Sequence, residues 1–170
     1  MTEPTYSLMM FYQGWENIQR NLVEMIAPLS SEQLALSTAS HHWSLGRLVT
    51  HMVADRAWWF QGWMCAGNPD LDPIVHWDEE GQPVRETAEL VAGLEVTWQM
   101  ISGALQRWTP EDLGYTFSNP AFMPEEEWKI WGDCTRQWII WHVLEHEIYH
   151  TGELSLGLGA YGMRGLYGKA

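Results

Sequence analysis

Four stretches of this chain carry apolar residues three and four apart, and no stretch reads as a convincing strand, which restricts the fold to helices packed on helices. The first runs from about Tyr6 to Ala27, with Leu8, Phe11, Trp15, Ile18, Leu22 and Met25 on one face, and Pro28 stops it. Ser30-Ser31-Glu32-Gln33-Leu34 then reads as a capped short turn of helix. Ser44 is an N-cap for the second helix, because its hydroxyl can accept from a free backbone N–H of the first turn. That helix continues through Leu45, Leu48, Val49, Met52, Ala57, Trp59 and Trp63 to about Ala66, where Gly67-Asn68-Pro69 breaks it. From Asp70 to Arg85, Pro, Asp, Glu and Gly dominate, and a long surface loop is expected. The third helix starts near Thr87 and passes Leu90, Leu94, Trp98, Ile101 and Leu105 to reach Trp108. Thr109-Pro110-Glu111-Asp112 caps another short turn, and residues 114–133 show no regular pattern. The fourth runs from about Thr135 to Leu156, and Gly157, Gly159, Gly162, Gly165 and Gly168 follow as a tail, loose or wrapped over the helices. The expectation is one all-α domain over residues 1–170, an antiparallel four-helix bundle with a long connection before its last helix.

Charge narrows the partners. Lys and Arg number 9 against 22 Asp and Glu, a formal net charge of −13, which repels nucleic-acid phosphates and anionic lipid headgroups. Neither a nucleic-acid nor a membrane partner is expected. No run of about 18 apolar residues exists to cross a bilayer. Met-Thr-Glu-Pro-Thr-Tyr at the N-terminus lacks the basic start and apolar core of a signal peptide, so a cytoplasmic location is expected. Cys65 and Cys134 have no CxxC spacing and read as buried free thiols. The 12 tryptophans read first as core packing and interface area, including a surface on which a homodimer can assemble, with an aromatic-lined pocket beside the histidines as the sharper alternative.

The fourth helix carries the chemistry. His142, His146 and His150 recur every four residues and therefore share a helix face. Two imidazoles one turn apart can close on a single divalent ion, and His146-Glu147-Ile148-Tyr149-His150 also spells the HExxH pattern of metalloproteases. Under that reading Glu147 is the general base. However, only 20 residues follow His150, the extended motif fails because Gly152 falls one position early, and no β-structure is available for a cleft. A third ligand must come from elsewhere in the chain. His51 is the best donor, lying within the apolar face of the second helix with Asp55 one turn on. Three histidines leave a coordination position open, the arrangement of a catalytic site. Asp55, Glu145 or Glu147 can orient an imidazole from behind. His142 can serve as core, as outer support or as a fourth ligand, while His41, His42 and His76 fall in loops and read as solvated.

Two segments resemble the DinB/YfiT-like superfamily of metalloenzymes. One is Trp43-Ser44-Leu45-Gly46-Arg47-Leu48-Val49-Thr50-His51, followed by Ala57-Trp58-Trp59; the other is His142-Val143-Leu144-Glu145-His146-Glu147-Ile148-Tyr149-His150-Thr151-Gly152-Glu153-Leu154. The resemblance implies a four-helix bundle whose metal ligands are His51, His146 and His150, holding a divalent zinc, nickel or iron ion. It also implies thiol chemistry, since relatives include S-transferases and isomerases using bacillithiol, mycothiol or glutathione. Thr151 stands where relatives commonly carry Arg. The expected function is then a metal-dependent, thiol-dependent S-transferase acting on a small electrophile, with Glu147 or Asp55 as proton acceptor or outer support. A non-catalytic metal- or small-molecule-binding bundle and a metal-dependent hydrolase are the alternatives.

Overall fold

A computed structural model describes residues 6–118, 123 and 125–166, so Gly168 and the N-terminal pentapeptide lie outside the described residues. The chain is predominantly helical. A 3-10 turn, Leu8–Met10, leads into helix α1, Gln13–Ile26. The helix starts later than its apolar spacing suggests, because the Leu8 N–H donates to the Trp108 carbonyl at 2.8 Å and ties the entry to the end of another helix. Helix α2, Ser31–Leu34, begins with a reciprocal capping box between Ser30 and Gln33. Ser44 caps α3, Leu45–Ala57, its hydroxyl accepting from the Arg47 N–H at 3.2 Å. The chain then widens into a π-helical turn, Trp58–Trp63, in which the Met64 N–H reaches back to the Trp59 carbonyl.

Residues 70–85 are not the free surface loop expected from their composition. A 3-10 turn at Pro69–Leu71 and helix α4, Asp72–Val75, bury Leu71, Ile74 and Val75, and α4 packs on α3. The three side chains follow helical spacing, but four residues are too few for the period to stand out in sequence. Helix α5, Thr87–Arg107, is capped by Glu86 and Glu89 acting reciprocally. A 3-10 turn, Pro110–Gly114, follows. Strands β1, Thr116–Phe117, and β2, Cys134–Thr135, pair antiparallel and bracket helix α6, Glu125–Trp131, in a region expected to be irregular. Helix α7, Arg136–Ala160, is capped by the Thr135 hydroxyl and extends past the expected end. Gly157 lies inside it, where a Cβ would meet Leu45 Cδ2 of α3 at 2.8 Å.

Helices α1, α3, α5 and α7 pack on one another: α3 against α5 and α7, and α1 against the same two. Their shared interior holds fully buried Leu22, Val49, Leu94, Ile101, Ile140 and Val143. Cys134 is buried as expected, whereas Cys65 is exposed, in a left-handed conformation at φ 49° just beyond the π-helical turn. No described helix is long and apolar enough to cross a membrane.

Candidate metal centre

The packing of α3 on α7 brings His51 opposite His146 and His150. One nitrogen from each of the three lies within 4.8 Å of the others. His51 Nε2 and His146 Nε2 face each other at 2.9 Å. With the ring protons held at Nδ1, two Nε2 lone pairs would face each other across this gap, an arrangement that suits a shared cation. Ligand nitrogens around a tetrahedral ion with bonds near 2.0–2.1 Å sit about 3.3 Å apart, so the present separation needs to open by only a few tenths of an ångström.

Carboxylates hold the opposite edges of the His51 and His150 rings, and a third carboxyl group approaches that of His146. Asp78 Oδ2 lies 2.6 Å from His51 Nδ1, Glu153 Oε2 lies 2.9 Å from His150 Nδ1, and Asp55 Oδ2 lies 3.3 Å from His146 Nδ1. A carboxylate at Nδ1 keeps the proton there and leaves the Nε2 lone pair for a metal. Burial, reinforced by the neighbouring His150, His51 and His142, pushes the His146 pKa down to about 3. Burial likewise pushes Asp55 up to about 7, against the opposing effects of His51 and a hydrogen bond from Trp59. Both shifts disfavour charge and so weaken the 3.3 Å contact between them as an ion pair in the ion-free protein. Asp55 Oδ2 is also buried without a well-aligned hydrogen-bond partner. A divalent cation at the histidines would favour its ionised form. Three oriented imidazoles and a carboxyl group that gains from a nearby positive charge fit a divalent metal.

The site opens into a cavity of about 410 Å³, walled by Ala54, Trp58, Trp59, Val75, Trp131 and His142 and with Asp55 and Asp78 beside His51 and His146. His142 belongs to this wall. Its ring stacks on Trp138 at 4.8 Å and 9°, and burial lowers its pKa. It thus continues the histidine stripe without joining the three-nitrogen cluster.

Glu147 is not brought to the cavity. Its carboxylate accepts from Arg56 Nη2 at 2.5 Å and Nε at 2.9 Å, and from Trp15 Nε1 at 2.9 Å, with both charged side chains almost wholly buried. One residue along a helix turns a side chain by about 100°, so the position after His146 points into the interior. The placement therefore corrects the expectation of Glu147 as proton acceptor and assigns it to a buried ion pair. Arg56 also donates to Gln19 Oε1 at 2.8 Å, to the Leu94 carbonyl at 3.0 Å and to Thr97 Oγ1 at 3.3 Å, which joins α1, α3, α5 and α7. Glu145 acts on His142 through its charge and bonds none of the three ligands.

Asp78 and Glu153 escaped the sequence reading. Glu153 carried a usable signal, three residues after His150 on the same helix. Asp78 carried none, since its approach to His51 depends on how the segment after α4 docks.

The DinB family model matches residues 1–164. A crystal structure of a DinB-like protein from Bacillus cereus ATCC 10987 aligns with a TM-score of 0.68 at 19% identity, covering 98% of this chain and 100% of that one. At that identity the likeness concerns the fold. No curated protein matches the chain. With the family pattern running through both α3 and α7, from which the three histidines come, the chain belongs to the DinB family.

Proposed function

We propose that this protein is a metal-dependent enzyme that holds zinc, nickel or iron on His51, His146 and His150 and joins a small-molecule thiol to a small electrophile. The observation that carries the reading is the convergence of three imidazoles, two of them backed by carboxylates, on the edge of a walled cavity. The four long helices, taken as an antiparallel bundle, hold the two ligand-bearing faces together. When bound, a divalent ion supplies Lewis acidity that lowers the pKa of a thiol reaching its open side. Asp55 is then the group placed to accept the thiol proton: it borders the cavity, and a bound cation would favour its ionised, proton-accepting form. Asp78 and Glu153 hold the ring tautomers, and the tryptophan wall keeps water from the electrophile. The sulfur forms a new bond to the electrophilic carbon while the leaving group departs with its electron pair.

The test is thiol consumption by metal-reloaded protein in a screen of electrophiles with bacillithiol, mycothiol and glutathione. His51→Ala should abolish turnover in a protein that still folds. Turnover of esters or amides without added thiol would instead select the hydrolase, and metal binding without any turnover the non-catalytic bundle. A homodimer formed through the exposed face of α7, around Trp141, Tyr149 and Leu156, belongs to the same proposal, as does a cytoplasmic location. Sedimentation of the protein at two concentrations checks the dimer.

A further inference from the structure

His51 stands apart from the histidine pair of α7, and the carboxylate behind it does not come from a helix. Asp78 lies in the turn between α4 and α5, whose backbone bonds are local: Trp77 N–H to the Ile74 carbonyl at 3.1 Å, and Glu79 to His76 and Gln82 to Glu79 at 3.3 Å each. Such bonds fold the turn on itself without fixing it against α3. A side chain supplies that link. Arg47 stands one helical turn before His51 on α3, so the two share a face. Its Nη2 donates to the Asp78 carbonyl at 2.7 Å and lies 2.7 Å from Asp78 Oδ1, while Oδ2 of the same carboxylate lies 2.6 Å from His51 Nδ1. The N–H is aligned on the carbonyl, so Oδ1 gains the charge without an aligned bond of its own. Among the described residues, the carbonyl and carboxylate of Asp78 have no partners besides Arg47 and His51. Trp43 leans on both ends of this chain, its ring 4.9 Å from that of His51 and 5.6 Å from the Arg47 guanidinium.

Stability does not account for the arrangement. With side chains 38% and 25% exposed, the Arg47–Asp78 pair is too open to water to add much to folding. A rigid guanidinium that grips one residue at both its carbonyl and its carboxylate instead fixes where that carboxylate points. We propose that Arg47 is a positioning residue of the metal centre: by holding Asp78 against α3 it keeps the His51 proton on Nδ1 and leaves Nε2 free toward His146 and His150. The inference rests on the metal-binding part of the functional reading and not on the thiol reaction. A hydrogen-bonding partner behind a ligand imidazole carries about 10- to 100-fold of metal affinity, and Arg47 should govern part of that share.

The test is zinc affinity, measured by chelator competition on the full chain, for the native sequence, Arg47→Met, Asp78→Ala and the double variant. Arg47→Met keeps the apolar stem and removes the donors. It should weaken zinc binding by about tenfold, and the double variant should bind as Asp78→Ala does alone, because the effect of Arg47 passes through Asp78. Tm of the metal-free Arg47→Met protein should fall by less than about 4 °C, which separates positioning from loss of structure. Native affinity in Arg47→Met, or losses that multiply in the double variant, overturns the proposal. A second readout needs no metal. Nitrogen NMR of the neutral His51 ring should place its proton on Nδ1 in the native chain and share it between both nitrogens in Arg47→Met. A native chain that takes up no zinc contradicts the metal centre itself, and an unchanged His51 tautomer then overturns the role of Arg47 independently.

Discussion

Asp78 and Glu153 bond to His51 and His150, whereas Asp55 stands 3.3 Å from His146, so the three contacts are not equally exposed to change. Asp78 Oδ2 makes the shortest contact, 2.6 Å to His51, and comes from a segment far away in sequence. Asp78→Ala should weaken metal affinity by about 10- to 100-fold with little loss of helix content, measured by competition with a chelator. The pair Asp55 and His146 makes a prediction about pH. Asp55 has a folded pKa of about 7, above its ordinary 3.8, so its contribution is full below pH 3.8 and is lost as pH rises through 7. His146 has a folded pKa of about 3, below its ordinary 6.5, so its contribution is full above pH 6.5 and is lost as pH falls toward 3. The two slopes, each at most about 1.4 kcal/mol per pH unit, oppose each other over the shared window, so the net contribution of this pair changes little there. Asp55→Asn should expose the histidine slope and make stability fall on acidification below pH 6.5; denaturant unfolding across that window would show it. An unchanged profile in the variant would contradict the assignment. At this scale the pairing of His146 with His150 was legible in sequence because helical spacing is local information, and His51, which the fold brings to them, stood on an apolar helix face. Glu147 was misassigned, because five letters of HExxH do not say which way the second one points once Arg56 waits in the interior.

Among the elements, α3 and α7 matter most, and two features set how they meet. The Arg56–Glu147 pair is sealed from water at 1% and 2% exposure, so removing one partner strands a buried charge. Glu147→Ala should cost about 3–5 kcal/mol in urea unfolding, while the folded fraction still takes up metal. A catalytic base would show the reverse, normal stability and lost turnover. The second feature is Gly93 on α5, where a Cβ would lie 2.7 Å from the Trp77 ring and 2.8 Å from Val53 Cγ1. Trp77 neighbours Asp78 in the chain and carries the Arg85 guanidinium over its ring at 4.6 Å. Gly93→Ala should therefore lose about 1–3 kcal/mol to overcrowding, partly offset by about 1 kcal/mol of helix propensity, and should weaken metal binding by displacing Asp78. Element starts governed by side-chain capping, such as Ser44 and Thr135, were legible in sequence. The late start of α1 was not, since it follows from a bond between Leu8 and Trp108, and neither was α4, whose helical character comes from docking on α3.

Across the whole molecule, periodic apolar faces account for the helical content and for the packing of α3 on α7 that brings the distant histidines together. The cavity was only partly foreseeable. Tryptophan abundance suggested an aromatic pocket, but Trp131 reaches it through α6, in a stretch with no readable period. Any ion that binds only the folded chain also stabilises it, by about 2.7 kcal/mol at a hundredfold excess over its dissociation constant, so added zinc or nickel should raise Tm. The most direct test is metal content per chain after tag removal, stripping and reloading, for the native sequence and for His51→Ala, His146→Ala and His150→Ala. About one divalent ion per native chain is expected, with clear loss in every variant and circular dichroism unchanged. A native chain that retains no ion, or three variants that all retain it, would contradict the site.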